Sequence, residues 1–199
     1  DASVGKQLAE SFAADGIVLS LGTKVVSFSA AERPSGTCGG VALCAAADGS
    51  ETRVEFDAVL VAAGREGNTE GLGLDILGIE PNRNGTVEVN EYLQTRYPNI
   101  YACGDVAGPY QLTHAAAHQA WYAAMNALFG RLWKFRVDYT VLPRAVFCDP
   151  EVASVGLNEA EATRPGIAYE VTTYGIDDLD RAIADGEAHG EVRVLTPPG

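Results

Sequence analysis

Positive charge is scarce in this chain. Fourteen Lys and Arg stand against 27 Asp and Glu over 199 residues, a formal net charge of -13. That balance repels polyanions, so nucleic acid and anionic membrane are poor partners. Long apolar runs are also missing: no stretch approaches the ~20 apolar residues that a spanning helix needs. A hydrophobic content of 47% still suffices for a core. The first residues carry no basic region followed by an apolar one, so they do not read as a secretory signal. Cysteine is sparse, and Cys38, Cys44, Cys103 and Cys148 include no pair at close metal-ligand spacing. A reduced, cytoplasmic setting is the expectation. His114 and His118 stand four apart on one expected helix face, the spacing of a two-histidine metal site. No third ligand type is near them in sequence, so packing or polar contact is the expected role and no metal is. The chain has no internal repeat and no low-complexity segment.

What is present is a succession of short elements. Residues 5–15 place Leu8, Ala9, Phe12 and Ala13 on a helical stripe closed by Gly16. Ile17-Val18-Leu19 reads as a short buried strand. Three β segments follow at about 24–30, 41–47 and 51–57, the last two joined by a tight Asp48-Gly49-Ser50 turn. The run from Asp57 to Gly64 is continuously apolar and predicts a strand covered on both faces, as in a parallel sheet. This order suits the back half of a nucleotide-binding α/β domain, whose front half of strand and glycine-rich turn is not in the sequence. Gly71-Leu72-Gly73-Leu74-Asp75-Ile76-Leu77-Gly78 lacks the spacing and the leading strand of a dinucleotide motif, and reads as a connector. Asn84-Gly85 marks a turn before Val87-Glu88-Val89.

The most informative stretch is Tyr101-Ala102-Cys103-Gly104-Asp105. It reads as a short buried strand ending in a Gly-Asp corner, with a helix from Thr113 to residue 129 closed by Gly130. A residue without a Cβ lets backbone approach a flat ligand. A carboxylate at a strand end can accept bonds from sugar-like hydroxyls, and a helix start offers N–H groups to an electron-rich ring. Beyond residue 138 the texture is β-rich: Tyr139 to Phe147, Val152 to Gly156, Tyr169 to Tyr174 and Val192 to Leu195 read as strands. Asp149-Pro150 is a turn, and Asn158 with Glu161 forms a capping box opening a short helix.

The Gly-Asp corner, read with Ala63-Gly64-Arg65 and with the run from Asp149 to Gly156, resembles the pyridine nucleotide–disulfide oxidoreductases. Within them the likeness is to the mercuric-reductase-like and dihydrolipoamide-dehydrogenase-like branch, and it runs over essentially the whole chain. The resemblance implies an α/β and α+β architecture: partial FAD- and NAD(P)-binding three-layer domains, then the start of an α+β dimerisation domain. By that resemblance residues 1–65 are the C-terminal half of the NAD(P)-binding domain and 66–135 the C-terminal part of the FAD-binding domain. Residues 136–199 are then the N-terminal part of the interface domain. The resemblance implies that the chain is the middle of a homodimeric enzyme that passes a hydride from NAD(P)H to FAD, then electrons to a cysteine pair and a small-molecule redox substrate.

The resemblance also assigns residues. Asp105 binds the ribityl chain of FAD and Gly104 lets the flavin lie close. Leu112 and Thr113 stand where the family's helix begins under the flavin pyrimidine ring, Thr113 also suiting an N-cap. Gly64 is a backbone contact for the nicotinamide half, and Arg65 a cofactor contact or a structural ion-pair residue. The chain departs from the family in having Ala63 where threonine is frequent and Gly67 where proline is. Cys38 and Cys44 have five residues between them where the redox pair has four, so no catalytic residue is assigned here. His189-Gly190-Glu191 has the wrong place and spacing for the family's His–Glu general acid and reads as a surface turn. The chain by itself is then expected to be empty and inactive. The alternative is a non-catalytic nucleotide-binding or dimerisation module. The acceptor, and the choice between NADH and NADPH, are not written in these residues.

Overall fold

The computed structural model describes residues 1–32 and 38–199. In chain order it runs α1 (Ala2–Ala14), β1 (Thr23–Glu32), β2 (Cys38–Ala46), β3 (Glu51–Phe56), α2 (Thr113–Phe129), β4 (Arg144–Val146), β5 (Val152–Ser154), α3 (Glu159–Thr163), β6 (Glu170–Gly175), α4 (Asp180–Asp185) and β7 (Glu191–Thr196). Two compact units result: Asp1–Val61 with Pro143–Gly199, and Ala62–Leu142.

In the first unit, β1, β2 and β3 form an antiparallel meander in that order. Asp48 builds its second turn, accepting from the Ser50 N–H at 2.9 Å and the Ser50 hydroxyl at 2.6 Å. Those bonds hold the Asp48 carboxyl below its ordinary range, the Ser50 hydroxyl being the larger cause. Phe28 and Phe56 meet edge to face at 5.9 Å. Gly40 sits beneath them, where a Cβ would come within 2.5 Å of the Phe56 ring. Cys38 opens β2 and Cys44 lies six positions along the same strand, which separates their backbones by ~20 Å at the rise of an extended chain. They cannot form a pair. Later in this unit β4 pairs with β5 and β6 with β7, both antiparallel. Asn158 and Glu161 make the expected reciprocal capping box on α3.

Several expected strands are not formed. Ile17–Leu19 and 57–64 lie outside any ladder, and Leu60 is 91% exposed. Every ladder among the described residues is antiparallel. A strand meant for a parallel sheet needs a neighbour running the same way, and no described residue supplies one. The expected strand from Tyr139 to Phe147 shrinks to Arg144–Val146. Asp138 causes the delay, because its carboxylate accepts from the N–H and the hydroxyl of Thr140 and turns the chain there. Helix α4, closed by Gly186 in the left-handed region, was not anticipated in the stretch between the last two strands. No helix among the described residues is long and apolar enough to cross a membrane.

Val18, Leu21, Leu60, Leu132 and Phe147 are each at least 80% exposed. Apolar surface on that scale seeks cover. Residues 1–199 in isolation are therefore expected to self-associate at tens of micromolar. Sedimentation velocity checks this, and a single monomeric boundary would contradict it.

Candidate functional site

The second unit, Ala62–Leu142, holds the Gly-Asp corner. The approach to it is a tight backbone weave: Ala102 N–H donates to Leu93 O at 3.1 Å, Thr95 N–H to Ile100 O at 2.9 Å, and Val87 N–H to Val106 O at 2.7 Å. Leu93 has a positive φ of 64° and is 2% exposed, so burial of its side chain holds an unusual backbone in place. The expected buried strand at Tyr101-Ala102-Cys103 is reduced to one antiparallel bridge between Gln94 and Tyr101, and all three residues are only half-buried. Val87-Glu88-Val89 likewise forms no ladder. Loops closed by side chains do the work of strands here: Asn90 accepts from Tyr92 and Gln94 N–H groups at 3.0 Å each.

At the corner, Gly104 is buried with a φ of 80°. A Cβ there would lie 3.3 Å from the Ala116 Cβ, so both conformation and space call for glycine. Residues Gly104–Val106 make one 3-10 turn, closed by Ala107 and Gly108 N–H groups on Gly104 O at 2.9 and 3.1 Å. Asp105 projects from this turn with its side chain 38% exposed. Arg65 reaches it, Nη1 to Oδ2 at 3.0 Å. Gln111 Nε2 lies 3.4 Å from Arg65 O. Gly64, next to Arg65, has a φ of 127° and open space where its Cβ would be.

Helix α2 begins directly after. Leu112 is its N-cap, in extended conformation and with no side-chain cap bond. Thr113 is thus the first helical residue and not the N-cap, a correction of one position. The cause is local: Leu112 has the extended backbone of a cap and its carbonyl already accepts from Ala116 N–H at 2.9 Å. An apolar cap leaves the first-turn N–H groups without a side-chain acceptor from that position. Of the helix's many alanines only Ala115 and Ala123 are buried. Gln119 and Asn126 complete the same inward stripe.

The two histidines serve different neighbours. His118 Nε2 lies 2.8 Å from Asp138 O, and its ring packs at 4.9 Å on Tyr122. Elsewhere, Asp149, Glu187 and His189 bring three ligand-type atoms within 4.8 Å, all exposed. His189 and Glu187 stand 3.3 Å apart there as a surface pair.

The residues expected to form a site are therefore brought together in part. Arg65 meets Asp105 directly, Gly104 packs on the first turns of α2, and Leu112 with Thr113 heads that helix. Sequence reasoning missed Gln119, which is fully buried behind the corner. An amide in an alanine-rich helix, four residues after Ala115 and four before Ala123, was the available signal.

The mixed helix-and-strand chain has counterparts among known proteins. The model of the family described as pyridine nucleotide-disulphide oxidoreductase matches residues 1–120. The model of the dimerisation domain of that family matches residues 142–198. The chain belongs to the pyridine nucleotide-disulphide oxidoreductase family. It is 40% identical over 142 residues to a dihydrolipoyl dehydrogenase of Chlamydia muridarum, covering 71% of this chain and 30% of the relative. It is 38% identical over 152 residues to a mercuric reductase of Streptomyces lividans, covering 76% and 31%. Among solved structures, LpdA from Mycobacterium tuberculosis superposes with a TM-score of 0.83 at 28% identity, over 100% of this chain and 41% of that one. The chain spans about a third of the length of these curated relatives.

Proposed function

We propose that this chain is the central-to-C-terminal part of a cytoplasmic, homodimeric, FAD-dependent NAD(P)H oxidoreductase that reduces a small-molecule acceptor through a redox-active disulfide. In this reading residues 1–65 complete the NAD(P)-binding domain, 66–135 the FAD-binding domain, and 136–199 begin the interface domain. The observation that carries it is the Gly104-Asp105 corner set against the open start of α2.

The donor set fits a flavin dinucleotide. Asp105 offers a partly exposed carboxylate, an acceptor for ribityl hydroxyls. Gly104, buried against Ala116 with a left-handed φ of 80°, shapes the turn that presents Asp105. The first turn of α2, headed by Leu112 and Thr113, presents N–H donors and the positive end of a 17-residue helix to the pyrimidine edge. That field is worth ~0.3–1 kcal/mol when exposed and up to ~2 kcal/mol when partly buried. The flavin supplies two-electron chemistry when bound; the chain supplies position and electrostatics. Arg65 orients the Asp105 carboxylate through its 3.0 Å contact, and Gly64 leaves open backbone beside it for the nicotinamide half.

The test is the full-length protein that carries this chain. It is expected to purify yellow with about one FAD per subunit and to bleach on anaerobic addition of NADH or NADPH, while residues 1–199 alone stay colourless and inactive. The reason for the contrast is that helix-start pyrophosphate sites carry much of dinucleotide binding, and no such motif is in this sequence. Stoichiometric flavin on residues 1–199 would overturn the domain assignment. A full-length protein without flavin would favour the non-catalytic module.

A further inference from the structure

We propose that Gln119 is the positioning residue of the Gly-Asp corner: its buried amide clamps both ends of the turn that carries Asp105 and so sets that carboxylate for the ribityl chain. This rests on the cofactor reading above. Gln119 is 0% exposed. Its Oε1 accepts from Gly104 N–H at 2.6 Å. Its Nε2 donates to Gly108 O at 2.7 Å and to the Tyr139 hydroxyl at 2.8 Å. Gly104 and Gly108 bracket the turn, and Asp105 lies between them.

The orientation of the amide follows from its partners. One is an N–H and two are oxygens, so the flipped amide would face donor with donor and acceptor with acceptor. Only a carboxamide satisfies the set. A carboxylate lacks the donor for Gly108 O, and an aliphatic side chain leaves the Gly104 N–H and Gly108 O buried without partners. Tyr139 reinforces the arrangement: burial pushes its phenol above the ordinary value, which keeps the hydroxyl neutral beside the amide.

Asn126, on the same stripe, fixes other loop backbone, at Phe135 N–H and O and at Tyr92 O. Two of the three Gln119 bonds go to the corner. Without them Asp105 samples orientations that cannot receive the ribityl hydroxyls, and apparent affinity falls by the fraction of time spent in the competent one.

The experiment measures the FAD dissociation constant of the full-length apoprotein by flavin fluorescence, with melting followed by circular dichroism. Gln119→Met, near in shape and without hydrogen bonds, is made alone and in an Asp105→Ala background. Gln119→Glu, which keeps the acceptor for Gly104, is made in parallel, so that the comparison stands even where Gln119→Met does not fold. Gln119→Met is expected to raise the dissociation constant by ~10- to 100-fold, Gln119→Glu by less, and both to have almost no effect once Asp105 is alanine. The flavin absorption band of bound Gln119→Met is expected to shift, because the ring is no longer seated against the same turn. An equal loss in both backgrounds would make Gln119 a packing residue and overturn the proposal. Unchanged affinity in Asp105→Ala alone would instead overturn the cofactor reading on which it rests.

Discussion

Asp105→Ala in the full-length protein is expected to lose FAD during purification. A carboxylate bonded to ribityl hydroxyls makes charge-assisted hydrogen bonds worth ~1.5–3 kcal/mol each, or roughly 10- to 100-fold in affinity per bond. Alanine removes them and leaves the hydroxyls unpaired, whereas Asp105→Asn keeps the shape and one acceptor and is expected to lose less. The fold should survive both changes. The side chains of Arg65 and Asp105 are 62% and 38% exposed, and exposed pairs contribute only ~0–1 kcal/mol. Asp149→Ala is the control. Asp149 stands in the turn before β5, in the other unit, and its loss is expected to leave flavin occupancy alone. Equal retention of FAD in the two alanine variants would reduce Asp105 to a turn former. The measurement is the ratio of flavin to protein absorbance after gel filtration, with thermal melting alongside.

Gly104→Val should act through both strain and space. At a φ of 80° a β-branched residue is in a region it rarely enters, and each such residue costs ~1–3 kcal/mol. The Cβ would meet the Ala116 Cβ at 3.3 Å, and the two methyls would have to displace the start of α2 or break the 2.6 Å bond to Gln119. Overpacking of this kind adds ~1–3 kcal/mol. The expected result is a lower melting temperature together with loss of flavin. Gly16→Val separates the two effects. Gly16 has a similar φ of 78° with nothing within 4 Å of its Cβ position, so it carries the backbone strain without crowding and without any link to the corner. A Gly104→Val protein that kept its flavin as well as Gly16→Val would remove the corner from the cofactor site.

The particular elements show where local sequence information was enough. The Asp48-Gly49-Ser50 turn, the span of α2 and the Asn158–Glu161 capping box form as expected, and α1 forms but begins at Ala2, three residues early, and buries none of its residues. Each depends on neighbours within about four residues, so its physics is written in a short window. The Gly-Asp corner was legible for a related reason: a left-handed glycine followed by a carboxylate is a local conformational fact.

The strands expected at Ile17–Leu19 and 57–64 depended on partners distant in sequence. Their apolar runs state a preference for being covered, and Leu60 at 91% exposure shows that preference unmet. The shortening of Tyr139–Phe147 to Arg144–Val146 came from a competing side chain, since the Asp138 carboxylate turns the backbone at Thr140. Cys38 and Cys44 were separable on spacing alone, and their place along one strand makes the separation physical.

By itself, then, the amino-acid sequence determined α1, α2, α3, the meander, the acidic surface and the family-bearing motifs, because periodicity, turn chemistry and net charge are local or additive properties. Tertiary structure alone decided that Arg65 meets Asp105 across 40 positions and that Gln119 reaches back 15 positions to Gly104. Hydrogen bonds between residues so far apart depend on how loops and a helix converge in space, and no pattern within a window of sequence specifies that convergence.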